Sequence, residues 1–368
     1  MTTSRNFTRP IRFFLLAALV VLLAVTGASA GLQIVWGPLL GDLTSTSAQL
    51  AWYTNLPCIG YVEVAGQKAG VGGPTQMHKV LLKGLQPGTD YQYRLVVETP
   101  TEQTSSPKCT LHTPAVGQDT FTFCAYGDTR SQTEAHARVV KAMVTCAPAF
   151  ILHTGDLVND GSKLDDWHSF FPVIAAFSAT VPLYPVVGNH ENEADQYYNF
   201  LPLPAGGGSH GDEWYSSVYG SCQIIALDSE QRTAEQGKWL RNLLAQPRPA
   251  GVQWRIVEFH RPPYTSGPHA PSAEALQYFC PYLEQPGAVD LVFNGHNHYY
   301  ERSLKGALNY VTVAGGGAPL YQGGLTNPYR QVYKSVYSFA QVKVSPDSLD
   351  VTALDTDLQQ IDHFTVTK

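Results

Sequence analysis

The sequence predicts an α/β domain over residues 119–368, preceded by a small all-β sandwich over residues 31–115. Three observations lead there. From Phe121 onward, apolar runs of strand character alternate with stretches of helical spacing, the texture of helices packed on sheet faces. Ahead of residue 115 the runs are short and β-rich, separated by turn clusters with no helical period between them. A chain of 368 residues also exceeds one ordinary core. With 44% hydrophobic and 15% charged residues it has a globular composition, which excludes a disordered chain.

Residues 1–30 stand apart. Arg5, Arg9 and Arg12 make a basic start, Phe13 to Val25 an apolar run, and Ala28-Ser29-Ala30 a small-residue cleavage site. The apolar run is shorter than the roughly 20 residues of a spanning helix, so it reads as a cleaved export signal rather than a retained anchor. The mature protein is then secreted or periplasmic, with no membrane segment. Cleavage removes three arginines and no acids, which takes the formal charge from −6 to −9. No basic run offsets this, so no nucleic-acid-binding surface is expected. Cys58, Cys109, Cys124, Cys146, Cys222 and Cys280 permit disulfides in an exported chain, but their pairing stays open. None forms Cys-x-x-Cys, which argues against a zinc-thiolate or thioredoxin-like site.

In the first domain the β-rich runs are residues 32–35, 48–53, 59–64, 79–82, 91–97 and 110–113. Trp36, Trp52 and Tyr93 read as core or inter-sheet aromatics, and no cluster of acid, base or nucleophile is present. The Gly-Leu-x-Pro-Gly-Thr-x-Tyr-x-Tyr-Arg pattern within Gly84 to Val97 resembles the E to F region of fibronectin type III domains. Thr113 to Gln118 reads as the linker.

In the second domain, strand runs are expected at 121–126, 150–153, 183–187, 222–227, 254–259, 291–293 and 310–313, with a helix over 133–144. Leu201 to Trp214 is too rich in Pro and Gly for either element and reads as a surface loop. Asp128, Asp156, Asn189, His260, and the pair His296 and His298 each follow one of these strands. In an open α/β sheet the carboxyl ends of strands share one edge, where ligands bind. Two carboxylates, one amide oxygen and three imidazoles are therefore expected in one place. Oxygen and imidazole donors without thiolate suit Zn, Mn or Fe, and six of them exceed one tetrahedral site. Two such ions would leave the site net cationic, which attracts a phosphate without any basic patch.

Gly127-Asp128, Gly155-Asp156, Gly188-Asn189-His190-Glu191, His260 and Gly295-His296-Asn297-His298 resemble, in order, the motifs of calcineurin-like metallophosphoesterases. Tyr300-Glu301-Arg302-Ser303, behind a fibronectin-like domain, resembles more narrowly the purple acid phosphatases. The resemblance implies a four-layer αββα sandwich. It implies two divalent or mixed-valence ions, Fe, Zn or Mn, with Asp156 bridging, Asp128 and His298 completing one and Asn189, His260 and His296 holding the other. His190 would bind substrate and protonate the leaving alkoxide, its other reading being a hydrogen bond that orients a ligand. His269 either contacts phosphate or is a solvated loop histidine.

Two positions depart from the pattern. Arg130 stands where many members have His, and Asn159 where purple enzymes have Tyr. Without that tyrosinate the ferric charge-transfer colour is not expected. Either Asn159 or water completes the first metal, and Arg130 either holds a phosphate oxygen or pairs with a nearby acid. His153 reads as a core histidine, His168 and His210 as solvated, Asp165-Asp166 as a helix start and Asp228 as a group behind the ligands. Gly315 to Gly317 precede no helix and so do not read as a phosphate loop, and no Gly-x-Ser-x-Gly elbow suggests a serine hydrolase. The implied activity is hydrolysis of small phosphate monoesters by a metal-bound hydroxide. The alternatives are a phosphodiesterase on nucleotide or lipid head-group esters, and a non-catalytic surface binding protein with a vestigial metallo-domain.

Overall fold

The computed structural model describes Met1 and residues 31–368; the export-signal reading, carried by residues 2–30, lies outside the described residues. Among the described residues no helix is long and apolar enough to cross a membrane. Residues Leu32–Lys368 form one compact unit, and all six cysteines are free thiols.

The all-β part is organised by one strand, Ser47–Val64. Its first half pairs antiparallel with Ile34–Gly41 and Thr75–Lys83, its second half with Asp90–Glu98 and Gln67–Ala69. The expected runs at 48–53 and 59–64 are thus a single strand. Its register slips between Tyr53 and Cys58, where Pro57 has no N–H to give a ladder. Leu50, Trp52, Val62, Leu95, Val97 and Leu111 are buried between the layers. Trp36 does something else. It stacks on Phe171 of the helix Leu164–Ile174 with ring centroids 3.9 Å apart, so it packs toward the α/β part. Tyr93 likewise donates its hydroxyl to Ala179 O at 2.6 Å.

The α/β part holds two sheets rather than one open sheet. Leu183–Pro185, Ile151–His153 and Phe121–Tyr126 are parallel neighbours in a six-stranded sheet completed by Ser338–Val344, Ser348–Asp355 and Gln360–Thr367. In the eight-stranded sheet, Cys222–Ala226, Trp254–Glu258, Leu291–Asn294 and Leu308–Val313 are parallel neighbours. Period-two alternation sorts their side chains. Ile224, Ile256, Leu291 and Phe293 join the main core, where Phe293 meets Phe123 edge-on at 6.3 Å. Ile225, Val257, Phe259 and Val292 face the opposite way, onto Leu240 of the helix Thr233–Leu244 and Ala275 of Ala273–Tyr278. Val139 and Met143 of Thr133–Val144, with Phe170 of Leu164–Ile174, pack on the six-stranded sheet. The order of layers is helix, sheet, sheet, helix. Periodicity distinguishes the faces of a strand but not the sheet it joins, which is why the two sheets look like one in the sequence.

Candidate metal centre

Three of the five strand ends come from the first sheet and two from the second, and they meet because glycines let the backbones close in. A Cβ on Gly188 would lie 2.3 Å from Asp156 Oδ1, and one on Gly295 would lie 2.6 Å from Asp128 Oδ2. Asp128, Asp156 and His296 hold φ of +56°, +54° and +70°, a region that costs a non-glycine residue about 1–3 kcal/mol. Surrounding bonds hold them there. Asp128 N donates to Gly155 O at 2.9 Å, and His296 N to the Asp128 carboxylate at 3.0 Å.

The result is a buried knot of donors. Asp128, Asp156 and His260 each bring a ligating atom within 4.8 Å of the others, and all three are at most 1% exposed. His260 Nε2 lies 3.4 Å from Asp156 Oδ1, 3.2 Å from Asn189 Oδ1 and 3.2 Å from His296 Nδ1. His298 Nε2 lies 3.4 Å from Asp128 Oδ1.

Tautomers follow from the partners on the far side of each ring. His260 Nδ1 faces Thr154 O at 2.8 Å and His298 Nδ1 faces Pro319 O at 2.7 Å. A carbonyl only accepts, so each Nδ1 carries a proton, and each ring turns its Nε2 toward a carboxylate oxygen. Arg261 Nη1 lies 3.1 Å from His296 Nε2, and His296 Nδ1 lies 3.2 Å from His260 Nε2. Burial pushes His298 down to about 4 and His296 lower still, keeping both neutral as metal ligands must be. Burial and Asp156 raise the Asp128 carboxyl. Burial acts the same way on Asp156, but His260, His190 and Arg130 outweigh it and hold that carboxyl below its ordinary value. Imidazole Nε2 atoms and carboxylate and amide oxygens gathered 3.2–3.4 Å apart, with no thiolate among them, are a donor set that fits metal.

Around this knot, Glu191 is wholly buried and accepts four backbone N–H groups: Leu157 at 2.8 Å and Val158 at 3.2 Å on Oε1, Asp156 at 2.9 Å and Gly188 at 2.7 Å on Oε2. It ties the Asp156 loop to the Asn189 loop. Gly316 N donates to Gly127 O at 2.8 Å and Ala318 N to Asp128 O at 2.7 Å, so the glycine run backs the Asp128 loop rather than cradling phosphate. In Tyr300-Glu301-Arg302, Glu301 accepts from Ser266 N at 2.9 Å, and Tyr300 and Arg302 both bond Asp362. That stretch acts as scaffold.

His190 lies at the mouth, its Nε2 4.0 Å from Asp156 Oδ2 and its Nδ1 2.7 Å from Asn159 O. Asn159 itself is exposed. Its side-chain oxygen takes a bond from Ser131, and its backbone carbonyl is what orients His190. Arg130 Nε sits 3.4 Å from Asp156 Oδ2. His269 leans over His296, ring centroids 4.3 Å apart.

His153 is a core residue, its Nε2 on Thr129 Oγ1, and Asp165 and Asp166 occupy the first turn of Leu164–Ile174. His168 lies half-buried by Tyr53, whereas His210 is exposed as expected, though it stacks on Tyr198 and bonds Asp195 and Glu213. Asp228 belongs to a separate acidic group with Glu193 and Glu213. Three contributors went unread in the sequence: Glu191 as a brace, Arg261 as the side-chain partner of His296, and Tyr321, which stacks on His298 at 3.9 Å. Only Glu191 left a local signal there, as a carboxylate directly after Asn189-His190.

Residues 121–300 match the family model for calcineurin-like phosphoesterases. Purple acid phosphatase 18 of Arabidopsis thaliana is 28% identical over 62% of this chain and 54% of its own length. Phosphoenolpyruvate phosphatase of Allium cepa is 27% identical over 75% of this chain and 64% of its own length. The chain spans about half the length of the first curated relatives it matches, 52% to 54%. A purple acid phosphatase from yellow lupin seeds shares the fold, with a TM-score of 0.75 at 18% identity over 90% of this chain and 74% of that one. Residues 121–300 are thus a calcineurin-like phosphoesterase domain, and the relatives of the chain include purple acid phosphatases.

Proposed function

We propose that the protein is an exported phosphoesterase that hydrolyses small phosphate monoesters with two metal ions. Residues 31–115 and 119–368 are its two domains. Asp156 would be the shared ligand, Asp128 and His298 would hold one ion, and Asn189, His260 and His296 would hold the other. The ions supply a nucleophile active near neutral pH and neutralise charge at phosphorus. The observation that carries this reading is that His260 and His298 each hold Nδ1 on a backbone carbonyl and turn Nε2 to a carboxylate oxygen at 3.4 Å.

The chain's own groups handle the substrate and the proton. His190 gives its Nδ1 proton to Asn159 O, which orients the ring with Nε2 toward the mouth of the site. Protonated there, Nε2 donates to the departing alkoxide, a step worth roughly 10²- to 10⁴-fold. Arg130, with its side chain 14% exposed, offers its remaining guanidinium N–H groups to a phosphoryl oxygen. His269 closes the opposite rim.

The test is metal content of protein purified without chelator, together with hydrolysis of a chromogenic monoester and a diester. About two ions per chain and preference for the monoester are expected, with both lost in Asp156→Ala. Folded, metal-free, inert protein would overturn the reading in favour of a binding module. Faster diester cleavage would move the substrate class to phosphodiesters.

A further inference from the structure

A second group of acids lies beside the first. Glu193, Glu213 and Asp228 each bring a carboxylate oxygen within 4.8 Å of the other two. They come from three separated segments: the loop after Asn189, the loop before the strand Trp214–Tyr219, and the end of Cys222–Ala226. Asp228 is wholly buried and the Glu213 side chain is 1% exposed.

Each carboxylate is half used. Asp228 Oδ1 accepts from Glu230 N at 2.7 Å and Gln231 N at 3.2 Å. Glu213 Oε1 accepts from Ser209 N, Ser209 Oγ and His210 N at 2.8, 2.6 and 3.3 Å, and also contacts His210 Nδ1. Glu193 Oε2 accepts from Tyr198 OH at 3.3 Å. The other oxygen of each, Asp228 Oδ2, Glu213 Oε2 and Glu193 Oε1, is buried with no hydrogen-bond donor. Arg232 Nε stands 3.6 Å from Glu213 Oε2, beyond hydrogen-bond length. His210 offers no free nitrogen, since its Nε2 is engaged by Asp195.

Two buried carboxylates and a half-buried one, against one guanidinium and the His210 ring, leave three unpartnered buried oxygens, and burying an unpaired anion is costly. Burial and Glu193 accordingly push the Asp228 carboxyl up. We propose that Glu193, Glu213 and Asp228 form a second cation site, separate from the strand-end metals, that takes a calcium ion. Oxygen-only ligands select a hard cation. Their origin in three irregular segments suits the flexible geometry of Ca²⁺ better than the strict octahedron of Mg²⁺. The ion would fasten the His190-bearing loop to the second sheet, so the site is structural rather than catalytic.

The experiment is equilibrium dialysis of radioactive Ca²⁺ against the full chain with its strand-end metals loaded, with thermal unfolding alongside. A single Ca²⁺ per chain and a raised Tm are expected. Asp228→Asn should weaken binding at least about tenfold and remove the Tm rise, while Asp156→Asn should keep both. Glu193→Gln, at a half-buried position, reads the same effect if Asp228→Asn fails to fold. No Ca²⁺ bound, or binding lost with Asp156 and kept without Asp228, would overturn the proposal. So would a wild type that ignores Ca²⁺ while Asp228→Asn raises its stability, since the carboxylates would then be sharing protons.

Discussion

Replacing Glu191 with Gln exchanges one carboxylate oxygen for an NH₂ group, and either choice sets that NH₂ against two backbone N–H donors. Placed at Oε1 it faces Leu157 and Val158; at Oε2 it faces Asp156 and Gly188. Two hydrogen bonds to a charged acceptor are lost, each worth roughly 1.5–3 kcal/mol, so Glu191→Gln should cost about 3–6 kcal/mol. That is a large part of the roughly 5–15 kcal/mol that holds an ordinary domain together. Urea unfolding measures it as a fall in midpoint at unchanged slope. Metal content should fall too, because both tethered loops carry proposed ligands. Burial and Asp156 push the Glu191 carboxyl up to about 8, and the amide bonds oppose them. Four donors and no acceptor around the group argue for the ionised form winning. A loss below about 1 kcal/mol would refute this, since Gln mimics a protonated carboxyl and would then fit as well as Glu.

Three further outcomes are expected. His190→Ala should keep its metals yet lose about 10²- to 10⁴-fold in turnover on esters of poor leaving groups, with little loss on activated aryl esters; loss of the metals instead would remove His190 from proton transfer. Burial pushes His78 down to about 4 and His136 to about 3, so the folded chain keeps them neutral where the unfolded chain, titrating at 6.5, takes up protons. That contribution is complete above pH 6.5 and falls away as pH drops toward 4, so His78→Gln should flatten the acid limb of stability against pH. A Cβ on Gly316 would lie 2.2 Å from Gly127 O, so Gly316→Ala should cost about 1–3 kcal/mol and lower metal occupancy through the Asp128 loop; unchanged occupancy would show that the backing is not needed.

What could be read from the sequence was whatever local rules decide. Phe121 to Tyr126 followed by Gly-Asp is a strand and a sharp exit, and the same holds before Asp156 and His296. The choice of sheet is not local. Val257 and Ile256 alternate correctly in the sequence, yet nothing there says that His260 crosses to meet Asp156 from a different layer. Ser47–Val64 looked like two runs because Pro57 interrupts the pattern, whereas both halves have partners that let one bent strand serve two sheets. His210 is exposed as its sequence context suggests, but its bond to Asp195, 15 residues away, depends on tertiary packing. Arg261 was hidden for the same reason, lying 35 residues from His296.

The division of the ligands between two sheets has a consequence for how the protein matures. Asp128 is bonded to His296 across 168 residues of chain, and Asp156 to His260 across the same gap between layers. During synthesis the first three ligands leave the ribosome well before the last three, and neither set alone resembles a site. Loading of the proposed metals would therefore wait until the two sheets have docked. Once bound, such ions would act as rivets across that seam, so that metal-free chains should be the ones that open, aggregate and reach proteases first.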